Sequence, residues 1–402
     1  MKTEKVLAPI ELNLMEHPFF YPAAGRQGGE RPTVWRVRLG KDAYVEITNG
    51  FGIPGPFEAD VMIGLLVLWH RKGRPQKLYF SLHELCEVLG MKRETSKVKE
   101  ALKRLSATSF WFVQTFYDGS SYETMPDARF LRELAIYEEK SSKNPKKLAN
   151  RETYVVIDQW VLDQIEKKLF RYVDFERHRS LRSGIAKRLH LYLLRHLGDQ
   201  QKFQIRFSSL AERIPLETYT KYKLKKQAMR ILLSALSELQ AKGIVAYEYY
   251  ALGRDYVFVF ESVYERRLRM LREVIGTVLE EMGLDASEQA AALEKDNIEK
   301  TAVILWEIER QRPLDCRVFF VQAAHRPVRL TARARREIER LVSQTLAAAV
   351  ERQRIQGLEE TWLLDVLESL RAKLRLLTAA DLYCVMHLAK TSAWEKLRRY
   401  CS

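Results

Sequence analysis

The sequence predicts an α+β fold, mainly helical, with tandem winged-helix domains followed by a helical C-terminal domain. A pattern of three helices and a β-hairpin occurs twice before residue 262, and helical periodicity alone continues after it. The two occurrences also align, since Ala101–Leu105 and Ala235–Leu239 each stand directly before a predicted hairpin. A repeated unit is harder to obtain by chance than a single match.

Composition and pattern divide the chain into four regions. We expect an N-terminal arm rich in Pro and Gly at 1–32, a first winged-helix domain at 33–150, a second at 151–262 and a helical C-terminal domain at 263–402. A polar, basic loop is predicted at 141–151. A chain of 402 residues is too long for one ordinary core, which agrees with several domains.

The first unit opens with apolar and polar residues alternating over Val34–Ile47, which predicts a hairpin that turns at residues 40–41. Ser81 is a suitable N-cap for a helix that Gly90 ends. Apolar periodicity predicts helices at Asp60–His70, Leu82–Leu89 and Glu94–Leu105. Two β-rich segments follow, which completes the order expected of a winged helix.

The second unit repeats this order after a predicted strand at Tyr154–Ile157 and a short helix at Trp160–Leu169. Its first and third helices are predicted at Leu181–Leu197 and Tyr222–Ala241, and a short second helix is predicted to begin after Ser208 or Ser209 as its N-cap. Its hairpin is predicted at Ile244–Tyr250 and Tyr256–Phe260. Amphipathic patterns predict C-terminal helices near 263–282, 297–310, 332–356, 359–376 and 379–399.

The overall composition predicts a folded protein with a polyanionic partner. Hydrophobic residues make up 47% and charged residues 30% of the chain, so it can bury real cores. The formal charge of +15 favours nucleic acid, because each Lys or Arg placed on a phosphate releases counterions. The alternative is a solvated surface rich in Arg and Glu.

The four cysteines form no CxxC pair and have no His at zinc-finger spacing, so we expect no metal and no cofactor. Cys86 fits a small core residue. The N-terminus lacks the apolar run of a signal peptide, and no stretch reaches the ~18 apolar residues of a membrane span. We therefore expect a cytoplasmic protein without membrane contact.

The strongest candidate for DNA contact is the third helix of the second unit. Its apolar stripe comprises Leu224, Ala228, Ile231, Leu232, Ala235 and Leu239. At 100° per residue, Lys223, Lys226 and Arg230 fall nearly opposite this stripe, with Gln227 beside them. Arg230 and Gln227 suit guanine and adenine edges, whereas the two lysines suit phosphates. The alternative interpretation is a solvated basic face.

Weaker candidates lie on the wing and in the first unit. Arg254 at the second hairpin tip could reach phosphates or the minor groove, or be a solvated turn residue. In the first unit the face opposite the apolar stripe carries Glu100, which lowers the local potential but can accept from cytosine. The other candidates on this face are Ser96, Lys103 and Arg104, with Lys99 at its flank.

No catalytic site is predicted. The sequence has no GxxxxGK[ST] loop for a triphosphate and no carboxylate cluster spaced for two metal ions. His190 and His196 flank Tyr192, an arrangement with some likeness to nicking enzymes. Those enzymes place two histidines one residue apart on a strand, whereas here the segment is predicted to be a helix, so core and surface roles are expected.

Three segments resemble the plasmid replication initiator protein A family over residues 11–260. They are Asn13–Pro18, Gly52–Val61 and Leu181–Leu189. In the last segment the family usually continues with Tyr, where this chain has His190. The resemblance implies an initiator that binds repeats in double-stranded origin DNA and helps open the duplex, and a more distant kinship with the two-winged-helix initiators of iteron plasmids.

The resemblance also implies partners, namely the host initiator and the replicative helicase, and a homodimer is a further expectation. Two other functions stay open from the sequence: a winged-helix transcription regulator with a helical effector domain, and a nicking initiator of relaxase type. Tandem ~20-base repeats beside an AT-rich stretch would favour the origin-binding initiator over both, since one turn of ~10.5 base pairs per domain places two domains on one face.

Overall fold

A computed structural model of the protein describes residues 6–22, 31–92, 94–137, 153–198, 200, 202–294, 297–311, 313–325, 331–355, 377–391 and 396. The chain divides into two compact units, residues 1–262 and residues 263–402. The loop expected at 141–151 and the helix expected at 359–376 lie outside the described residues. As the sequence predicts, the fold is α+β and mainly helical.

All twelve strands that the structure describes lie in the first compact unit, residues 1–262. They are β1 Leu7–Glu11, β2 Val34–Arg38, β3 Tyr44–Thr48, β4 Leu78–Phe80, β5 Ser109–Tyr117, β6 Tyr122–Arg129, β7 Leu131–Ala135, β8 Thr153–Ile157, β9 Phe170–Asp174, β10 Lys202–Arg206, β11 Val245–Leu252 and β12 Asp255–Ser262. They form four antiparallel sheets, ordered β1-β9, β2-β3-β5-β6, β4-β8-β7 and β10-β12-β11.

Ten described helices accompany these strands in the first compact unit. They are α1 Leu12–Glu16, α2 Pro56–Arg71, α3 Leu82–Val88, α4 Thr95–Ser106, α5 Gln159–Glu166, α6 Phe175–Arg179, α7 Gly184–Leu197, α8 Phe207–Arg213, α9 Glu217–Thr220 and α10 Lys225–Ala241. Ser81 accepts a hydrogen bond from the Glu84 N–H at the start of α3, as its position predicts. Gly90, at φ +61°, follows the end of that helix.

The N-terminal segment, expected as an arm, is instead part of the core over its described residues. Strand β1 pairs with β9, and α1 follows it at once, capped by the Glu11 carboxylate. Ile10, Leu14 and Met15 are fully or almost fully buried. Its Pro and Gly content suggested an exposed segment, but the apolar residues between them supply a strand and a helical turn.

The two expected winged-helix domains also share elements. Strand β8 falls after the predicted boundary at residue 150, yet it pairs with β4 on one side and β7 on the other. In the first helix–hairpin repeat, therefore, β4, which follows α2, does not join the sheet of the β5–β6 hairpin. It belongs to the separate sheet β4-β8-β7. The boundary is displaced because backbone pairing between distant segments leaves no trace in hydrophobic periodicity.

The second repeat keeps its own sheet. Helix α7 leads to β10, then α8, α9 and α10 precede the hairpin β11–β12, and β12 lies between β10 and β11. The predicted helix at Tyr222–Ala241 is shorter than expected, since α10 begins only at Lys225. The predicted cap by Ser208 or Ser209 is also wrong, because α8 begins at Phe207.

The second compact unit contains only helices among its described residues. They are α11 Val263–Glu281, α12 Ala286–Ala292, α13 Ile298–Gln311, α14 Cys316–Ala324, α15 Ala332–Ile355 and α16 Ala379–Lys390. Helix α16 lies at the centre of this core, with Cys384 and Val385 fully buried. Its buried Asp381 is paired with Arg267 of α11, which compensates the charge. No helix in the described ranges has the length and apolarity needed to cross a membrane.

Candidate nucleic-acid interface

Helix α10 presents the predicted basic face to solvent. Ala228, Leu232, Ala235 and Leu239 are buried against the core of the second repeat, so one stripe holds the helix in place. Lys226, Gln227 and Arg230 are exposed on the other side. Within the described part of the chain, none of these three side chains has a hydrogen bond or an ion pair. Their donors are therefore available to a ligand.

Lys223 lies outside the helix, which corrects its placement by helical periodicity. It has φ +57°, in the left-handed region, and its N–H donates to the Tyr219 carbonyl at 3.1 Å. Leu224, counted in the apolar stripe, is 51% exposed because it also precedes the helix. Lys223 is nevertheless exposed, in the turn that leads directly into α10.

The turn of the β11–β12 hairpin is joined to the start of α10 by a half-buried carboxylate. Asp255 accepts a hydrogen bond from the Ser208 hydroxyl at 2.7 Å and lies 3.3 Å from the Lys225 ammonium. Burial raises the pKa of Asp255, but the hydrogen bonds from Ser208 and Tyr256 and from Lys225 outweigh it and lower the pKa. Arg254 forms the two-residue turn with Gly253 and is exposed. Sequence reasoning did not single out Lys225, whose ammonium donates to the Arg254 carbonyl in the turn.

The corresponding face of α4 differs in its electrostatics. Lys103 is paired with Glu100 at 3.0 Å. Arg104 is paired with the buried Glu58 and donates to the Phe51 carbonyl at 3.1 Å, so it serves the core and is not a free cation. Ser96 is exposed and Lys99 is half-buried. The structure thus gathers the candidates of the first repeat on one helix but leaves fewer charges available there.

The three segments that resemble the initiator family meet at one junction. Arg188 on α7 is fully buried, and its guanidinium donates to the carbonyls of Met15, at 2.6 Å, and Glu16. The Glu16 carboxylate lies 3.0 Å from His196 and 3.3 Å from Arg213. Burial raises the pKa of Glu16, but the hydrogen bond and charge of His196 dominate and lower it to about 2.

A second contact at the junction ties α7 to α2. Lys187 is paired with Asp60, and burial raises the pKa of Asp60 to about 6 despite that pairing. Gly184 at the start of α7 has no room for a side chain, since a Cβ there would lie 2.3 Å from the Pro22 carbonyl oxygen. Arg188 and Lys187 are buried cations on an amphipathic helix. Periodicity predicted the helix but did not indicate that these two side chains have buried partners.

The residues considered for nicking chemistry lie in the same junction. Tyr192 is 2% exposed and burial raises its pKa, which disfavours a nucleophilic phenolate. His190 is buried and its Nδ1 lies 3.0 Å from Nδ1 of His178, while His196 contacts Glu16. No group of three or more His, Cys, Asp or Glu side chains suited to a metal ion occurs among the described residues. As predicted, Cys86 is a buried core residue.

Two crystal structures of RctB are among the solved structures to which the chain is similar. One, of selenomethionine derivatives of domains 2 and 3, shows 11% identity, covers 63% of this chain and 99% of that chain, and gives a TM-score of 0.44. The other, of RctB domains 2–3, shows 12% identity, covers 62% and 96%, and gives 0.38. No curated protein sequence gave a significant match. The family model of replication initiator protein A matches residues 11–228, more than half of the chain. The chain therefore belongs to the replication initiator protein A family.

Proposed function

We propose that the protein is a sequence-specific replication initiator that binds repeats in double-stranded origin DNA through its second repeat. Its binding energy would help open the duplex and recruit host replication proteins, and the chain itself would perform no chemistry. Membership of the initiator family supports the replication role. The residues of α10 and of the β11–β12 turn would supply the contacts to DNA.

One observation carries this proposal, namely the unpaired donors of α10. Lys226, Gln227 and Arg230 share an exposed face, and no described acidic side chain neutralises them. A helix that reads DNA needs one face buried and the opposite face rich in donors. Arg230 would form two hydrogen bonds with a guanine, and Lys226 would bind a phosphate as a point charge.

The surrounding elements support a winged-helix interpretation of residues 184–262. Helix α10 directly precedes the hairpin β11–β12, which completes the sheet, and this order is the one expected of a winged helix. The link from Lys225 to Asp255 fixes the turn of the wing against the start of α10. Arg254 would then reach the backbone or minor groove beside the bases that α10 reads.

The proposal predicts unequal effects of single substitutions on DNA binding. Arg230→Ala should cost ~1–3 kcal/mol on the cognate site and relax specificity at one base position. Lys226→Ala should weaken all sequences alike and reduce the slope of log K against log salt by ~1. Each variant is checked for folding by circular dichroism and titrated against the origin fragment of its replicon and against scrambled DNA.

Lys103→Ala is the matched control, since Lys103 is an exposed helical lysine whose charge is already paired with Glu100. It should bind nearly as the unmodified protein does. The proposal fails if Arg230→Ala binds normally while Lys103→Ala abolishes binding. Footprinting on the same fragment separates the other functions, because a single palindrome would indicate a regulator and a covalent protein–DNA nick would indicate a relaxase.

A further inference from the structure

A cleft of about 700 Å³ separates the β2–β3 hairpin from the turn that leads into α10. One wall is formed by Trp35, Arg36, Val37, Arg38 and Gly40 of the hairpin, and the other by the segment from Glu212 to Lys223. Both walls belong to the first compact unit. The cleft volume falls within the ~300–1,000 Å³ typical of ligand-binding pockets, so the cleft is large enough to admit a ligand.

The charges that face this cleft are mostly positive and mostly unpaired. Arg38, Lys221 and Lys223 are exposed and form no ion pair with any residue that the structure describes. Arg36 is occupied, since its guanidinium lies 2.6 Å from Glu46. Of the two acids in the lining, Glu217 accepts a hydrogen bond from Tyr21, whose pKa rises through burial and this bond. Glu212 is the other, and it is exposed.

The position of β2 keeps the hairpin open to a ligand. It is the outer strand of the sheet β2-β3-β5-β6, and its other side lies next to α8 and the cleft. Alternation along β2 buries Val37 and turns Arg36 and Arg38 away from the core. The first repeat therefore offers a free arginine beside the basic turn of the second repeat.

We propose that the sugar-phosphate backbone of the bound duplex passes from the start of α10 into this cleft, where Arg38 and Lys221 hold it from opposite walls. The first repeat then contacts DNA through the β2–β3 hairpin and not through α4, whose Lys103 and Arg104 are paired with Glu100 and Glu58. This inference rests on the proposed function, since it takes α10 as the element that enters the major groove. Phosphate contacts of this kind fix the position of a protein on DNA without reading sequence.

The test uses the full-length protein with Arg38→Ala, Lys221→Ala and the double variant. Each single change should lower affinity for the origin fragment about fivefold near 0.1 M salt, lower it equally for scrambled duplex, and reduce the salt slope by ~1. Hydroxyl-radical footprints should lose protection of backbone next to the α10 contact and keep the rest. Lys242→Ala is the matched control, because Lys242 is exposed at the other end of α10, about 25 Å along the helix from Lys225.

Arg230→Ala and Lys226→Ala are titrated alongside to separate the two proposals. If these two weaken binding while Arg38→Ala and Lys221→Ala match Lys242→Ala, the cleft inference is overturned and the α10 proposal stands. If none of the four weakens binding, the proposed function itself fails. If Arg38→Ala weakens binding to a single-stranded oligothymidine but not to duplex, the occupant is a separated strand and the duplex inference is wrong.

Discussion

Lys223 occupies a backbone position at which glycine is the usual residue. With φ +57° it follows the end of α9, where a left-handed residue returns its N–H to the last carbonyls of a helix. This conformation costs an L-residue ~1–2 kcal/mol. Lys223 is exposed beside the candidate interface, so this backbone strain points to a functional role for its side chain.

Lys223→Gly should separate stability from binding. Glycine relieves the left-handed strain but adds ~0.5–1 kcal/mol of unfolded-state entropy, so stability should be unchanged or rise by up to ~1.5 kcal/mol. DNA affinity should fall, with a salt slope reduced by ~1. Urea unfolding and titration at several salt concentrations measure the two effects.

Lys223→Asn is the control, because Asn tolerates the left-handed region and also lacks the charge. It should bind DNA as weakly as Lys223→Gly does. Should both variants bind as tightly as the unmodified protein, Lys223 would serve the turn alone.

At the scale of elements, α1 is anchored by His17. Its buried Nε2 lies 2.8 Å from the Thr115 carbonyl oxygen on β5. Because a carbonyl only accepts, Nε2 carries the proton of a neutral ring. Burial lowers the pKa of His17 to about 4, and the charge of Glu16 only partly opposes this. The anchoring of α1 therefore depends on a histidine that must stay neutral.

This anchor predicts a loss of stability in acid. Between pH 6.5 and about 4 the unfolded chain binds a proton at His17 that the folded chain does not, so stability falls as the pH falls through that range. The contribution is on the order of 3 kcal/mol at most. His17→Gln keeps a donor for Thr115 but cannot titrate, so its stability should fall less between pH 7 and pH 4.

Urea unfolding of both proteins across this range measures the difference. Parallel curves for the two proteins would mean that folding does not lower the pKa of His17. Thr115→Val provides a structural control, since it alters β5 without adding or removing a titrating group.

Amphipathic periodicity predicted most helices because each packs one apolar face on a core. The exposure of Lys226, Gln227 and Arg230 followed from the same rule. Local pattern could not predict that α10 begins after Tyr222, since no glycine marks the left-handed residue at its start. It also could not pair β4 with β8 or Arg104 with Glu58, because those contacts join segments that lie 46 or more positions apart.

At the scale of the molecule, the junction makes the two repeats one body within residues 1–262. Buried Arg188 and Lys187 connect α7 to α1 and α2, and β8 completes a sheet with β4 and β7. A chain truncated to 1–262 should therefore fold and bind the origin fragment with unchanged specificity. A chain truncated to 33–150 should not fold, because it lacks both the central strand β8 and α1.

Circular dichroism, thermal unfolding and DNA titration of both truncated chains check this prediction. A cooperative transition in 33–150 would show that the first repeat is an independent domain after all. If 1–262 folds but loses DNA binding, the interface must include residues from the helical unit.

The pairing of β1 with β9 has a consequence for biosynthesis. Leu7 leaves the ribosome before its partner Asp174, which follows more than 160 residues later. At ~5–20 residues per second, roughly 8–30 s of translation separate the two strands. During that interval the apolar segment of β1 and α1 has no partner strand, so the nascent chain must keep it from aggregating until β9 emerges.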